Sequence, residues 1–358
     1  MQQWYRHAPP VALLLVAGCA APPTPAPTPA VAANLSQATA DGFSGLVLVA
    51  TGDRVLARFA NGVGLRPDTP FRFASVTKQM TAVLVLQAVA AGRLRLDDTV
   101  AQLWPDCSVP NAARITVRQL LQHRSGLPDP EDRAAFTDPA LAGLDHSALV
   151  GTLPNTPAAA PGERFAYNNA DYWLLGALLE RSHVESFAAI LRAGILQPAG
   201  MRSAGLYAQA GEAPATHARG HLGAERAPEP AYQLAVYGAA GAVYGTLDDL
   251  LAFDRALLRG TLMPPAAFTE LITADEHGAA LGVWSYDLAL PSGAMRVVER
   301  QGWIGGVKVL NLISPSHDLI VAVMTDDDRL PLDATWSGTG LGAELLRAAA
   351  LDAAARPR

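Results

Sequence analysis

The placement of the strand-like runs constrains this fold more than any other feature. Two short apolar runs, residues 43–50 and 55–59, open the body of the chain, and Thr51-Gly52-Asp53 between them is a hairpin signal. Four more, residues 281–290, 295–300, 308–313 and 319–324, lie near the far end. The long middle has helical spacing instead, with predicted helices at 75–91, 117–123, 171–181, 185–191 and 247–258 and a terminal one at 342–350. Strand runs at both ends with a helical middle predict one sheet assembled from both termini, with a helical insertion on one side, an α/β (α+β) fold. The 75–91 segment is apolar nearly all round, so it is read as a buried helix stopped by Gly92. Thr116 with Gln119, and Thr246 with Asp249, have the spacing of capping boxes.

The first residues read as a targeting segment, outside the fold. Arg6 and His7 precede a short apolar run at 11–17, too short to span a bilayer. Leu15-Val16-Ala17-Gly18-Cys19 resembles a bacterial lipobox, which makes 1–18 a lipoprotein signal peptide and Cys19 the lipidation site. The Pro/Ala-rich stretch 19–37 is then a tether holding a domain at 38–354 off the membrane. This implies a bacterial membrane lipoprotein with its domain in the periplasm or at the cell exterior.

Composition narrows the chemistry. Half the residues are hydrophobic and 17% are charged, so the chain is globular. A net charge of −6 without a basic stripe gives no reason to expect nucleic acid. Two cysteines and scattered histidines give neither a disulfide framework nor metal-ligand spacing, and no cofactor or metal is expected. A monomer is expected.

Only two lysines occur among 27 basic residues, and one sits three places after a serine in Ser75-Val76-Thr77-Lys78. Arginine stays protonated, whereas a buried lysine can lower its pKa and give up a proton. One helical turn from Ser75, Lys78 can take the hydroxyl proton and make Ser75 a nucleophile. Tyr167-Asn168-Asn169 supplies a second candidate proton carrier, Tyr167, whose pKa a neighbouring cation would lower. A third cluster, Arg300-Gln301-Gly302-Trp303-Ile304-Gly305-Gly306, is glycine-rich on a strand-like run, where backbone can approach a ligand closely.

In this order the clusters resemble the serine β-lactamase and penicillin-recognising hydrolase superfamily, in its class C, DD-peptidase and esterase-like branch. Ser75-x-x-Lys78 and Tyr167-x-Asn169 match that branch in full, while Arg300-Gln301-Gly302 stands where it has Lys-Thr-Gly or His-x-Gly. A register centred on Trp303-Ile304-Gly305 is the alternative. Further landmarks are Leu120 to Pro128, Pro161-Gly162, Pro198 to Met201 and Ala240 to Thr246. The resemblance implies a β-lactamase/transpeptidase-like fold, an antiparallel sheet with flanking helices and a mostly helical subdomain. It implies an acyl-enzyme on Ser75, with Lys78 and Tyr167 sharing general-base and general-acid work. The Ser75 and Trp303 backbone N–H groups would form an oxyanion hole, and Asn169, Arg300, Gln301 and Gly302 would bind substrate. His123 becomes a buried structural residue. The substrate is a carboxylic ester, a D-amino-acid peptide or a β-lactam. A catalytically silent protein of the same fold that binds cell-wall peptides is the competing reading.

Overall fold

A computed structural model describes residues 27–207, 215–331 and 334–354. Helix α1 (Pro29–Ala40) leads into strands β1 (Gly45–Thr51) and β2 (Arg54–Asn61). Helices α2 (Thr77–Ala90), α3 (Ala170–His183) and α4 (Leu247–Leu258) belong to the middle of the chain. Strands β3 (Trp284–Leu290), β4 (Gly293–Ile304), β5 (Val307–Ser314) and β6 (Leu319–Thr325) follow, and helix α5 (Gly340–Ala354) comes last.

The six strands form one sheet in the order β2-β1-β6-β5-β4-β3, with neighbouring strands antiparallel. The predicted sheet from both termini is therefore present, and its centre is the pairing of β1 with β6, Gly45 opposite Thr325 and Thr51 opposite Leu319. Both faces are covered, which is why β5 and β6 are buried along their whole length. Alternate residues of β1 point opposite ways. Leu46, Leu48 and Ala50 pack into the larger core with the mid-chain helices, while Val47 and Val49 pack with Val31, Leu35, Leu345 and Leu346 of α1 and α5.

Two boundaries differ from the sequence reading. The tether read at 19–37 gives way at residue 29 to α1, whose start is set by the Thr28 hydroxyl accepting the Val31 N–H and by Pro29 in the first turn. Val31 and Leu35, spaced i and i+4, are buried against the sheet, so the apolar residues in this Pro/Ala-rich stretch belong to the core. The helix read at 75–91 begins at Thr77, and Ser75 lies in a 3₁₀ turn (Ala74–Val76) that leads into it. Cys19 and the signal-peptide reading lie outside the described residues.

Helix α2 is buried at nearly every position, as its apolar circumference requires. Its polar residues have partners. Thr81 donates to the Ala239 carbonyl at 2.7 Å, and the Thr77 hydroxyl accepts the Val243 N–H at 3.1 Å. The capping boxes at Thr116/Gln119 and Thr246/Asp249 are both formed.

Candidate active site

Ser75 is presented by a strained turn. Arg72 pairs with Tyr244 in a short two-residue strand, and the Phe73 N–H donates to the Val243 carbonyl at 2.8 Å. Ala74 then takes φ +47°, a left-handed conformation unusual for a residue with a Cβ. Lys78 follows one turn later inside buried α2, and its ammonium nitrogen lies 3.1 Å from Ser75 Oγ.

Lys78 is wholly enclosed. Besides Ser75 Oγ, its Nζ donates to Asn169 Oδ1 at 2.8 Å and to the Ala240 carbonyl at 2.9 Å. Three acceptors match the three protons of an ammonium group. Burial, reinforced by the Arg300 charge, lowers the Lys78 pKa, and the neighbouring Tyr167 oxygen partly opposes that shift.

Tyr167 comes from the loop before α3, laid on His123 by two hydrogen bonds. The Ala166 N–H donates to the His123 carbonyl at 2.8 Å, and the Asn168 N–H to His123 Nδ1 at 3.4 Å. The His123 ring is 4.5 Å from the Tyr167 ring. Burial and the charges of Arg300 and Lys78 hold His123 well below its ordinary pKa, so it is a neutral peg, in keeping with the structural part expected of it. The peg delivers Tyr167 Oη to 2.5 Å from Ser75 Oγ. Burial would raise the phenol, but the Lys78 and Arg300 cations, with hydrogen bonds from Lys78 and Ser75, bring it below 10.

Arg300 lies on β4. Its Nε donates to the Ser75 carbonyl at 2.9 Å and its Nη2 to Tyr167 Oη at 3.3 Å. Only 3% of the side chain is exposed, so its charge is directed into the Ser75–Tyr167 pair. Gly302 fixes the strand's register against the Ser75 turn. A Cβ there would lie 2.2 Å from the Phe73 carbonyl oxygen and 2.9 Å from Ser75 N. It is therefore Arg300-Gln301-Gly302, rather than Trp303-Ile304-Gly305, that abuts Ser75. The pairing of β3 with β4 ends at Trp284 opposite Glu299, which leaves residues 300–304 with no β3 partner along the edge beside the cleft. Asn169 accepts from Lys78 and donates from Nδ2 to Asp129 Oδ1 at 3.4 Å, so it orients Lys78.

Sequence reasoning missed Glu229. Its Oε1 accepts the Gly220 N–H at 2.8 Å, and its Oε2 accepts the Gly306 N–H at 2.9 Å and an ion-pair hydrogen bond from Arg72. The carboxylate thus bridges the segment three residues before Ser75 and the turn three residues after Trp303. Ala227-Pro228-Glu229-Pro230 carries no local pattern that announces such a clamp. The Gly305-Gly306 pair was the available signal. A Cβ on Gly305 would lie 2.3 Å from Glu229 Oε2, and one on Gly306 would lie 2.2 Å from His221 N.

Ser75, Tyr167, Asn169, Arg300, Gln301, Gly302 and Trp303 line one cleft of about 730 Å³. Another hollow, of about 310 Å³, lies between α1, α5 and the end of β6, away from these residues. Among the described residues no group of three or more His, Cys, Asp or Glu side chains is placed to hold a metal ion.

Comparison with known proteins agrees with this fold. The family model described as Beta-lactamase matches residues 31–337. The chain is 30% identical over 276 residues to Esterase EstB of Burkholderia gladioli, covering 65% of this chain and 70% of that one. It spans about a third or less of several other curated relatives. Among solved structures, a D-stereospecific amidohydrolase from Streptomyces sp. superposes with a TM-score of 0.73 at 26% identity, over 87% of this chain and 99% of that one. A D-amino acid amidase from Ochrobactrum anthropi SV3 shares the fold, with a TM-score of 0.77 at 20% identity over 90% of this chain and 99% of that one.

Proposed function

Because the chain belongs to the beta-lactamase family of serine hydrolases, we propose that it hydrolyses a carboxylic ester or a related acyl compound through a covalent intermediate on Ser75. The observation that carries this reading is the position of Tyr167 Oη, 2.5 Å from Ser75 Oγ and flanked by Lys78 and Arg300. Two cations favour the phenolate, and a phenolate at that distance can accept the hydroxyl proton. Ser75 Oγ then bonds to the substrate carbonyl carbon. Negative charge gathers on the carbonyl oxygen, where the Ser75 and Trp303 N–H groups form the oxyanion hole. Collapse breaks the bond to the leaving alcohol, which takes the proton from Tyr167. Water, deprotonated by Tyr167, then attacks the acyl carbon, releasing the acid and restoring Ser75 and its proton. Lys78 stays an ammonium through both halves, held by Asn169 Oδ1 and the Ala240 carbonyl, and keeps the Tyr167 pKa low.

Intact-mass analysis after treatment with a fluorophosphonate tests the assignment. One adduct on the wild type, mapping to Ser75 and absent from Ser75→Ala, is expected, together with burst release of p-nitrophenol from a short-chain ester. No adduct and no burst would leave the silent peptide-binding reading in its place. The N-terminal reading belongs to the same proposal: Leu15 to Cys19 would anchor this hydrolase to a membrane by acyl chains, facing the periplasm or the exterior. Metabolic labelling with radioactive palmitate in a bacterial host should mark the wild type and not Cys19→Ser. Equal labelling of both would sink it.

A further inference from the structure

The cleft around Ser75 is poor in usable positive charge and rich in fixed rings. Arg300 is only 3% exposed and directs one edge of its guanidinium, Nε and Nη2, to the Ser75 carbonyl and to Tyr167. Lys308, the other lysine, also lines the cleft, but it is 7% exposed and donates to the Asp328 and Leu330 carbonyls. Glu131 adds a carboxylate to the wall. Among the described lining residues the two cations, Arg300 and Lys308, are thus no more than 7% exposed. A substrate carboxylate placed there would share the cleft with the like charge of Glu131.

The same wall carries Phe165, Tyr232, Tyr237, Trp284 and Trp303. Three of these rings are held in fixed orientations. Trp303 is 61% exposed, yet its Nε1–H donates to the Gly305 carbonyl at 2.5 Å and Lys308 Nζ lies 4.7 Å from its ring centroid. Trp284 is wedged between Phe165 at 5.2 Å and Trp336 at 5.3 Å. Tyr237 stacks flat on Phe136 at 3.8 Å. Pre-oriented rings lose little side-chain freedom when a flat apolar group settles among them.

We propose that the substrate taken by Ser75 carries an aromatic, uncharged group next to its scissile carbonyl and bears no carboxylate there. This rests on the serine-hydrolase reading above and narrows its substrate class. The aromatic group can sit on the acyl side or the alcohol side, and the assay separates the two.

The experiment measures kcat/KM by pH-stat for the wild-type protein on ethyl acetate, ethyl phenylacetate, benzyl acetate and ethyl hydrogen succinate. Either aromatic ester should exceed ethyl acetate by about tenfold or more, the scale at which apolar pockets discriminate. The ester that gains identifies the side. The succinate half-ester should fall below ethyl acetate. Trp284→Ala, and separately Tyr232→Ala, should narrow the ratio of aromatic to ethyl acetate turnover. Ratios near one for both aromatic esters, or a succinate half-ester turned over as fast as the aromatic one, would overturn the proposal while leaving the serine-hydrolase reading intact. If no ester is cleaved and Ser75 takes no fluorophosphonate, both readings fall together.

Discussion

Removing the Arg300 charge should move the acid limb of the pH–rate profile upward. Arg300 Nη2 sits 3.3 Å from Tyr167 Oη, and its guanidinium carbon 5.5 Å from the ring centroid. A charge this close shifts a pKa by about 1–3 units, which is about 1.4–4 kcal/mol of bias between the two protonation states. Arg300 lowers both Tyr167 and Lys78, so losing it raises both. The proposed mechanism needs the phenolate, and a raised phenol pKa means a higher pH is required to reach it. Arg300→Met, similar in length but neutral, should therefore shift the midpoint of the acid limb of kcat/KM up by about 1–3 units. At neutral pH the rate should fall about 10- to 1000-fold, since each unit is tenfold, with much of the loss recovered on the alkaline side. Arg300→Lys keeps the charge and should move the midpoint far less, although it loses the fork that reaches Ser75 and Tyr167 together. A pH-stat titration of ethyl acetate hydrolysis across neutral and alkaline pH reads the midpoint directly. A uniform loss at every pH, with the midpoint unmoved, would refute the electrostatic role and leave Arg300 as a structural brace.

Three further outcomes are expected. Lys78→Arg should lower kcat by about 10²–10⁴-fold despite conserved charge, because a guanidinium cannot fit the three acceptors around Nζ; stopped-flow acylation checks this, and a near-normal rate would contradict it. Asp254 is fully buried, with its carboxyl held well above the usual range by burial and one oxygen unpartnered, so its own contribution to wild-type stability is greatest below the unfolded pKa near 4 and declines as pH rises toward the folded value. Asp254→Asn removes that decline, so its Tm advantage should grow from pH 4 toward neutrality; a difference that does not vary with pH would count against a protonated Asp254. Glu229→Gln loses the charge opposite Arg72 and replaces one acceptor with a donor, and it should reduce kcat more than it raises KM, with weaker phosphonate acylation. A change in KM alone would show that the clamp does not set the Ser75–Trp303 spacing.

Much of the fold was legible because period-2 and period-3.6 patterns are local properties. The strand runs at 281–324 and the capping pairs at Thr116 and Thr246 could be read directly, and each formed. Helix α1 was obscured because prolines and alanines read as a spacer, while the burial of Val31 and Leu35 depends on a sheet face and a terminal helix more than 250 residues away. Ser75, Lys78 and Tyr167 were legible because their chemistry is unusual in sequence, and the structure brings them together. The partners of Arg300 were not, since a guanidinium's targets are fixed only once β4 is laid beside the Ser75 turn. Glu229 was hidden for the same reason: its three donors come from three separate segments.

The pairing of β1 with β6 also sets the order in which the cleft can be completed. Thr325 Oγ1 donates to the Ser44 carbonyl across 281 residues of sequence. The central hydrogen-bond ladder therefore cannot close until residue 325 has been synthesised, and contacts this distant form slowly. Ser75, Lys78 and Tyr167 are synthesised well before Arg300 and Trp303. A growing chain thus carries its candidate nucleophile without the strand that completes the cleft. The cleft around Ser75 is completed only when these later strands join the sheet at β1.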